Sequence, residues 1–405
     1  MATERRCAKC GRSLPAGKTE CAACAAQNAR PALRPETVLF LCFPALLCFF
    51  AITSFAVRRY NEKQQALGEQ WFAKGKGALG QGLAEQAIED FRTALAYARD
   101  NSEYQHQLAL ALVAGKRPDE ARSYLLSLWS SEPESGPINL ELGRLSAARG
   151  EVRDAVRYYH SAIYGQWERG PAQRRTARLE LYQFLQRRGA KSEARAELMA
   201  LAADLPPDPA LLVQAGTLFL SAGDYDEALQ EFRQALLLDR NQATAQAGAG
   251  EAAFRKADYL EARRYLEQAV RAEPKNATAV QLLETTNLIL EIDPFDPRVT
   301  APERARRVVR AYRQALARLK GCAQERPEAL DTQEPQTTFQ TVYALATKMQ
   351  RQASEHSLSH DPETATALVN LALEIEEITA RSCGAPAGLD RALLLIAQRR
   401  GRAKS

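Results

Sequence analysis

Four cysteines near the amino terminus carry the clearest chemistry in this 405-residue chain. Residues 7 to 24 read C-x2-C-x10-C-x2-C, pairing Cys7 with Cys10 and Cys21 with Cys24. A C-x2-C turn aims two sulfurs at one point, and two such turns complete a tetrahedral thiolate site of the kind that suits Zn2+. Gly11, directly after the second cysteine, suits the tight backbone of such a turn. With all four thiolates on the ion no coordination position stays open, so the expected role is structural and not catalytic. So short a segment has almost no apolar core, and the metal would supply most of its folding energy. Two disulfides are the alternative arrangement of the same residues.

Four further cysteines fall in two groups, Cys42 with Cys48 and Cys322 with Cys383. The second group is a candidate disulfide, with two unrelated buried thiols as the alternative. His356 and His360 stand at i and i+4 beside Glu355, Asp361 and Glu363, so both rings could face one metal. Pro362 and the serine-rich surroundings favour a helix end and a turn instead. Gly75-Lys-Gly-Ala-Leu-Gly80 matches G-x-G-x-x-G, but no strand precedes it, as a dinucleotide site requires. No nucleophile elbow, phosphate loop or triad-like grouping appears, and the chain is not expected to be an enzyme. The net charge of +5 is small for this length, with arginines interleaved among glutamates, which argues against a nucleic-acid footprint.

The elements that must position these groups are set by a repeat. Ala87, Ala121, Ala155, Ala194, Ala228 and Ala262 stand 34, 34, 39, 34 and 34 residues apart. On that frame the units begin at Gly68, Ser102, Gly136, Arg175, Pro209 and Ala243, with five extra residues around Gly165 to Pro171. Each unit holds two helical patterns, joined at Gly115, Gly150, Gly189 or Gly223, where a residue without a Cβ ends a helix. Small residues at Gly75, Gly143, Gly216 and Gly250 let the first helix sit close against the alanine of the second. No pair can bury its apolar stripe alone, so the pairs must stack.

The spacing of Trp71, Gly75, Ala87, Phe91 and Ala94, repeated as Gly216, Phe219, Ala228, Phe232 and Ala235, resembles the tetratricopeptide repeat. The amino-terminal cysteine segment is similar to the small zinc-ribbon module of many bacterial proteins. The resemblance implies an all-α fold: a superhelical solenoid of six repeats plus a capping helix over 66–292, with a zinc ribbon at 1–30 ahead of it. It also implies that a partner protein lies in a groove lined by the first helices. Carried over, those positions are Phe72, Lys76, His106 and Leu110 in the first two units, then Arg144, then Gln183 with Arg187. The later units supply Thr217, Glu251, Phe254 and Arg255. The groove is apolar with scattered basic positions. No small-molecule substrate is implied.

From Thr37 to Val57 there are 21 residues without a charge, ending at Arg58-Arg59. At about 1.5 Å per residue this spans roughly 30 Å, the thickness of a bilayer's hydrocarbon core. An uncleaved transmembrane helix over 37–57 is expected; signal cleavage after Ala56 is the alternative. Lys18, Arg30 and Arg34 precede it and Arg58, Arg59 and Lys63 follow it, so the positive-inside rule does not choose an orientation. Four-thiolate zinc favours the reducing cytosol, which puts the repeats outside it, in the periplasm of a bacterial-type inner membrane.

Past Asp293-Pro-Phe-Asp-Pro297 the period stops, and a carboxyl-terminal helical domain is expected over 300–402. Its four helices read as about 302–321, 337–354, 362–381 and 388–398. The first and third run the same way in an up-down-up packing, which brings Cys322 and Cys383 to one end of the bundle. The whole reads as a membrane-anchored scaffold for partner proteins. The alternative is a membrane-bound regulator whose cytosolic zinc ribbon, with Arg5, Arg6, Lys9, Arg12 and Lys18, binds protein or nucleic acid.

Overall fold

The computed structural model describes residues 5–19, 21–28, 35–168, 170–326 and 338–404, the side chains of 27–28, 35–45 and 402–404 excepted. Among them all regular structure is helical, apart from isolated β-bridges at Arg6–Ser13 and Ser135–Gln166. The chain forms two compact units, Met1–Gln166 and Trp167–Ser405. The division falls inside the five-residue insertion that interrupts the repeat.

The first unit holds α1 (Ala22–Asn28), α2 (Pro35–Gly80), α3 (Ala84–Tyr97), α4 (Ser102–Ala114), α5 (Pro118–Ser131), α6 (Gly136–Ala148) and α7 (Val152–Tyr164). The second continues the pairs with α8 (Pro171–Arg187), α9 (Lys191–Ala203), α10 (Pro209–Ala222), α11 (Tyr225–Leu238), α12 (Ala243–Arg255), α13 (Tyr259–Ala272) and α14 (Ala277–Ile292). Five helices follow: α15 (Ala301–Glu325), α16 (Thr338–Met349), α17 (Glu355–His360), α18 (Pro362–Ser382) and α19 (Gly388–Lys404). The first repeat has no first helix of its own. Its residues from Gly68 onward are the last turns of α2, a single helix of 46 residues that begins at Pro35. Among the described residues no helix is long and apolar enough to cross a membrane. The span expected at 37–57 rests in part on residues 37–45, whose side chains lie outside the described residues.

All six framing alanines are fully or almost fully buried. Each heads a second helix, and in four of the repeats the aromatic or aliphatic residue one turn later fills a notch at a glycine of the first. A Cβ built on Gly75 would stand 2.7 Å from the Phe91 ring, one on Gly216 2.9 Å from Phe232, and one on Gly250 2.7 Å from Leu266. Gly75 is therefore a packing residue inside α2, and the G-x-G-x-x-G run is helix, not a phosphate loop. Several entries into first helices are capped: the Asn101 side chain accepts from the Tyr104 amide at 3.1 Å, and Asp208 from that of Ala210 at 2.8 Å.

The hairpin turns obey the same frame at a position one residue later than Gly115. Gly82, Lys116, Gly150, Gly189, Gly223 and Ala257 all take left-handed backbone, with φ from 58° to 87°. Gly115 itself lies at φ −78°. Its missing Cβ serves Ile88 instead, whose Cδ1 would stand 3.0 Å away. Lys116 and Ala257 thus hold a conformation that costs a residue with a Cβ roughly 1–2 kcal/mol.

Past α14 the apolar core continues without a break. Ile289 and Ile292 share one buried cluster with Tyr312 of α15, Ile375 of α18 and Ile396 of α19. The Pro294–Pro297 segment that reads as a linker is clamped: Arg307 donates to the carbonyls of Leu290 and Asp293 at 3.1 and 2.8 Å, and Arg399 pairs with Asp293 at 2.6 Å. The expected second helix of this region, 337–354, ends early at Met349 in a 3-10 turn over Gln350–Gln352. Helix α17 is an additional short helix whose start Ser354 caps by accepting from the Ser357 amide at 3.2 Å. Cys322 and Cys383 are disulfide-bonded, with Cα atoms 5.8 Å apart. Beside them Glu376 is 0% exposed and faces Arg318 at 3.5 Å, which also lies 3.6 Å from Asp390. Burial, reinforced by the Asp390 charge and opposed by Arg318, pushes the Glu376 carboxyl up to about 8.

Two outcomes follow from these features. Ala257→Gly relieves the left-handed strain and stabilises the protein by about 1 kcal/mol in denaturant unfolding, whereas Gly223→Ala destabilises it by a similar amount. Because the folded state holds the Glu376 proton more tightly than the unfolded chain, its favourable contribution is present in acid and fades as pH rises towards 8. Glu376→Gln therefore melts near the parent at pH 5 and above it at pH 8.5; equal melting at both values would refute the linkage.

Candidate functional site

The four amino-terminal cysteines come together. Their sulfurs all lie within 4.8 Å of one another, and those of Cys10 and Cys21 are 3.2 Å apart. Four thiolates at about 2.3 Å from one ion stand roughly 3.8 Å apart, so the donor set fits a single tetrahedral metal. The first pair is held by a true knuckle. Gly11 donates to the Cys7 carbonyl at 2.9 Å, Cys7 donates to that of Arg12 at 2.7 Å, and Gly11 takes φ +76°. The second pair is built differently from the expected second knuckle. Ala22, Ala23, Ala25 and Ala26 are strong helix formers, so Cys21 immediately precedes α1 and Cys24 lies in its first turn. The Cys24 amide points at the Cys21 sulfur at 3.4 Å.

The electrostatics suit deprotonation. The hydrogen bond from the Cys21 backbone, then that of Lys9, pulls Cys7 down to about 6, and the Cys24 backbone amide lowers Cys21. Cys24 is pushed up to about 12, first by the side chain of Cys10. The crowded sulfurs thus compete unequally for protons, which a divalent cation would displace. Among the described residues this is the one group of three or more metal-ligating side chains. His356 and His360 sit on the six-residue α17 with ring centroids 5.1 Å apart, and both are exposed. Ser359 and the His356 carbonyl occupy Nδ1 of His360.

The expected groove positions lie on first helices, but they differ in availability. In the first unit Phe72 is half-buried, stacked on Tyr104 at 4.4 Å between ring centroids, with the exposed Lys76 ammonium 5.3 Å over its face. Half-buried His106 and Leu110 follow on α4. The His106 Nε2 atom is buried without a hydrogen-bond partner, and burial lowers the imidazole pKa against the pull of Glu132 and Glu103. Arg144 on α6 is engaged by Glu141 of its own helix at 2.6 Å. In the second unit Gln183, Arg187 and Thr217 are exposed, the Thr217 hydroxyl donating to the Val213 carbonyl at 2.8 Å. Arg255 is held by Glu251 at 3.1 Å.

Phe254 is a correction. It is only 7% exposed, packed edge-on against Tyr259 of α13 at 5.6 Å, and it belongs to the core rather than to any partner surface. Tyr104 is not among the expected positions; it is only 5% exposed and backs Phe72 from beneath, so it supports that ring without forming part of a partner surface. Its place in the first turn of α4, one helical turn before Leu108, is the signal that marks it.

With this geometry in hand the comparisons are direct. The tetratricopeptide-repeat family model matches residues 78–137 and 219–299, so the helical pairs there are tetratricopeptide repeats. A 73-residue stretch is 44% identical to cellulose synthase operon protein C of Komagataeibacter xylinus, covering 18% of this chain and 6% of that protein. The chain thus spans a small fraction of the curated relative it matches. Among solved structures, the C-terminal part of a repeat-containing protein from Cytophaga hutchinsonii is 16% identical over 58% of this chain and 93% of its own, at a TM-score of 0.43. Pseudomonas aeruginosa pilF is 16% identical over 54% of this chain and 97% of its own, at 0.38.

The cysteine cluster gives a direct measurement. The full chain, purified without chelator, carries one divalent ion per molecule by native mass spectrometry, and Cys7→Ser/Cys24→Ser carries none. A parent protein found metal-free with two amino-terminal disulfides would overturn the site.

Proposed function

We propose that this protein is a membrane-tethered scaffold that holds partner proteins on the first-helix faces of its repeats, with no catalytic step. The carrying observation is the surface of α2 and α4. Half-buried Phe72, seated on the buried Tyr104, with the Lys76 ammonium over its face, the half-exposed Leu110 and the half-buried His106 form a strip that supplies both apolar area and polar contacts. Such a strip suits an extended or helical segment of another protein. Lys76 would meet a carboxylate on it and Arg187, in the second unit, one on a segment bound there, whereas Arg144 and Arg255 already have glutamate partners on their own helices.

In this reading Cys7, Cys10, Cys21 and Cys24 hold a structural Zn2+, and the ribbon-like knuckle folds around it. The anchor is the first part of α2, from Thr37 to Val57. Leu46, Phe49, Phe50, Ile52 and Phe55 are all exposed, an all-round apolar surface that suits lipid. Within it the Thr53 hydroxyl donates to the carbonyls of Phe49 and Phe50 at 2.9 and 3.0 Å, satisfying itself without water. A thiolate zinc site favours a reducing compartment and the Cys322–Cys383 bond an oxidising one, so a span between them supports a cytoplasmic amino terminus and periplasmic repeats.

Crosslinking in intact membranes tests the binding role. Lys76→Glu/Arg187→Glu protein, which changes only exposed side chains and keeps its helicity and membrane association, loses the crosslinked partners of the parent. An unchanged partner set would sink the first-helix assignment.

A further inference from the structure

The second helices carry a feature that the first-helix faces do not explain. Between α9 and α11 lies a cleft of about 610 Å3, within the range of ligand-binding pockets. Met199, Ala202 and Ala203 form one wall, Leu237 and Leu238 the other, with Phe219 of α10 also lining it. The cleft has a local cause. The last turn of α9 ends in small alanines, and the following link turns tightly at Pro206-Pro207, where the Asp208 amide donates to the Pro206 carbonyl at 2.7 Å. Three large apolar residues are left in solvent at its rim: Leu237 is 79% exposed, Leu238 50% and Met199 46%. Isolated exposed leucines need no explanation, but three around one concave apolar surface do.

Glu231 stands on the wall of this cleft, only 7% exposed, with no hydrogen-bond or ion-pair partner among the described residues. Its position in the repeat frame carries an acid in half of the repeats, and Asp90 of the first is likewise 7% exposed with a buried unpartnered carboxylate oxygen, but of the buried, unpartnered ones only Glu231 lines this cleft. Three residues after the framing alanine, the chain places Tyr124, Tyr158 and Tyr265 in three repeats and Asp90, Glu197 and Glu231 in the others. Glu197, in the preceding repeat, is answered by Arg178 at 3.7 Å. Glu231 has no such cation beside it among the described residues, and burial alone raises its pKa. The surroundings add negative potential. Helices α9 and α11 have no basic residue in their last turns and are followed by Asp204 and Asp239, where the helix dipole is already negative. The nearby Arg195 is engaged by Asp224 and Glu227.

We propose that the α9–α11 cleft is a second binding site, for a peptide segment that combines an aliphatic or aromatic side chain with a lysine or arginine. The apolar side chain lies against Met199, Phe219 and Leu237, and the cation pairs with Glu231. The cation is what distinguishes this occupant: an apolar ligand alone would leave the carboxylate desolvated and unpaired. The site shares no residue with the first-helix strip, so occupancy of one does not require the other.

The test uses the full chain in lipid nanodiscs and a random dodecapeptide display library. The expected result is enrichment of peptides with a large apolar residue within one helical turn of a lysine or arginine. A synthetic enriched peptide should lose at least about tenfold in affinity to Leu237→Asp and to Glu231→Gln protein, as breaking a desolvated charge pair does. It should bind Lys76→Glu/Arg187→Glu as tightly as the parent. Glu231→Gln also serves as its own folding control, because removing a buried unpaired carboxylate raises the melting temperature at neutral pH. Enriched peptides without a basic bias, a loss below tenfold in either cleft variant, or a loss in the Lys76/Arg187 variant would each overturn the proposal.

Discussion

Everything in this fold depends on how closely two helices of a pair approach. The framing alanine of each second helix is buried, and in four of the six repeats a phenylalanine, tyrosine or leucine one turn on occupies the space opposite a glycine of the first helix; Ala109 and Tyr182 stand at that position in the other two. At Gly75, Gly216 and Gly250 even a methyl group would collide. The constraint is steric and local, and where it recurs the same close helix pairing is reached. Once the pairs lock this way, neighbouring pairs must cover what remains of each apolar stripe. The alternation of first and second helices along the chain is a consequence of that lock.

The two aspects of the chain most legible in its sequence are those fixed by hard geometry. The period can be read because a buried alanine tolerates nothing larger, and the cysteine cluster because thiolate chemistry demands its spacing. Softer features leave weaker marks. The glycine pattern points to Gly115 as the hairpin turn, yet the left-handed residue is Lys116, since a turn can absorb modest strain that a packed interface cannot. Phe254 has the right helical phase for a surface position, but phase alone does not say that Tyr259 of the next helix covers it. Two prolines suggest a linker after α14; the arginines at 307 and 399 instead hold that backbone against the following helices. Long-range arginine contacts of this kind leave no periodic trace.

The carboxyl-terminal helices show what happens where the repeat ends. An exposed stripe on α14 would be a liability, and α15 and α19 remove it by extending the same buried cluster. Their own polar requirement is met by Arg318, which donates to the Thr379 hydroxyl at 2.9 Å and the Gly384 carbonyl at 2.8 Å while standing between two carboxylates. This half-buried arginine links α15 to α18 and to the start of α19 through contacts with Thr379, Gly384, Glu376 and Asp390.

The fusion of the apolar stretch and the first repeat into the single helix α2 has a mechanical consequence. Its 46 residues extend about 69 Å as an uninterrupted rod. No flexible joint separates the residues around Phe50 from Gly75, where α3 is clasped. A tilt or twist imposed at the amino-terminal end is therefore delivered to the first repeat as rigid-body torque, in the manner of an axle driving the part keyed to it.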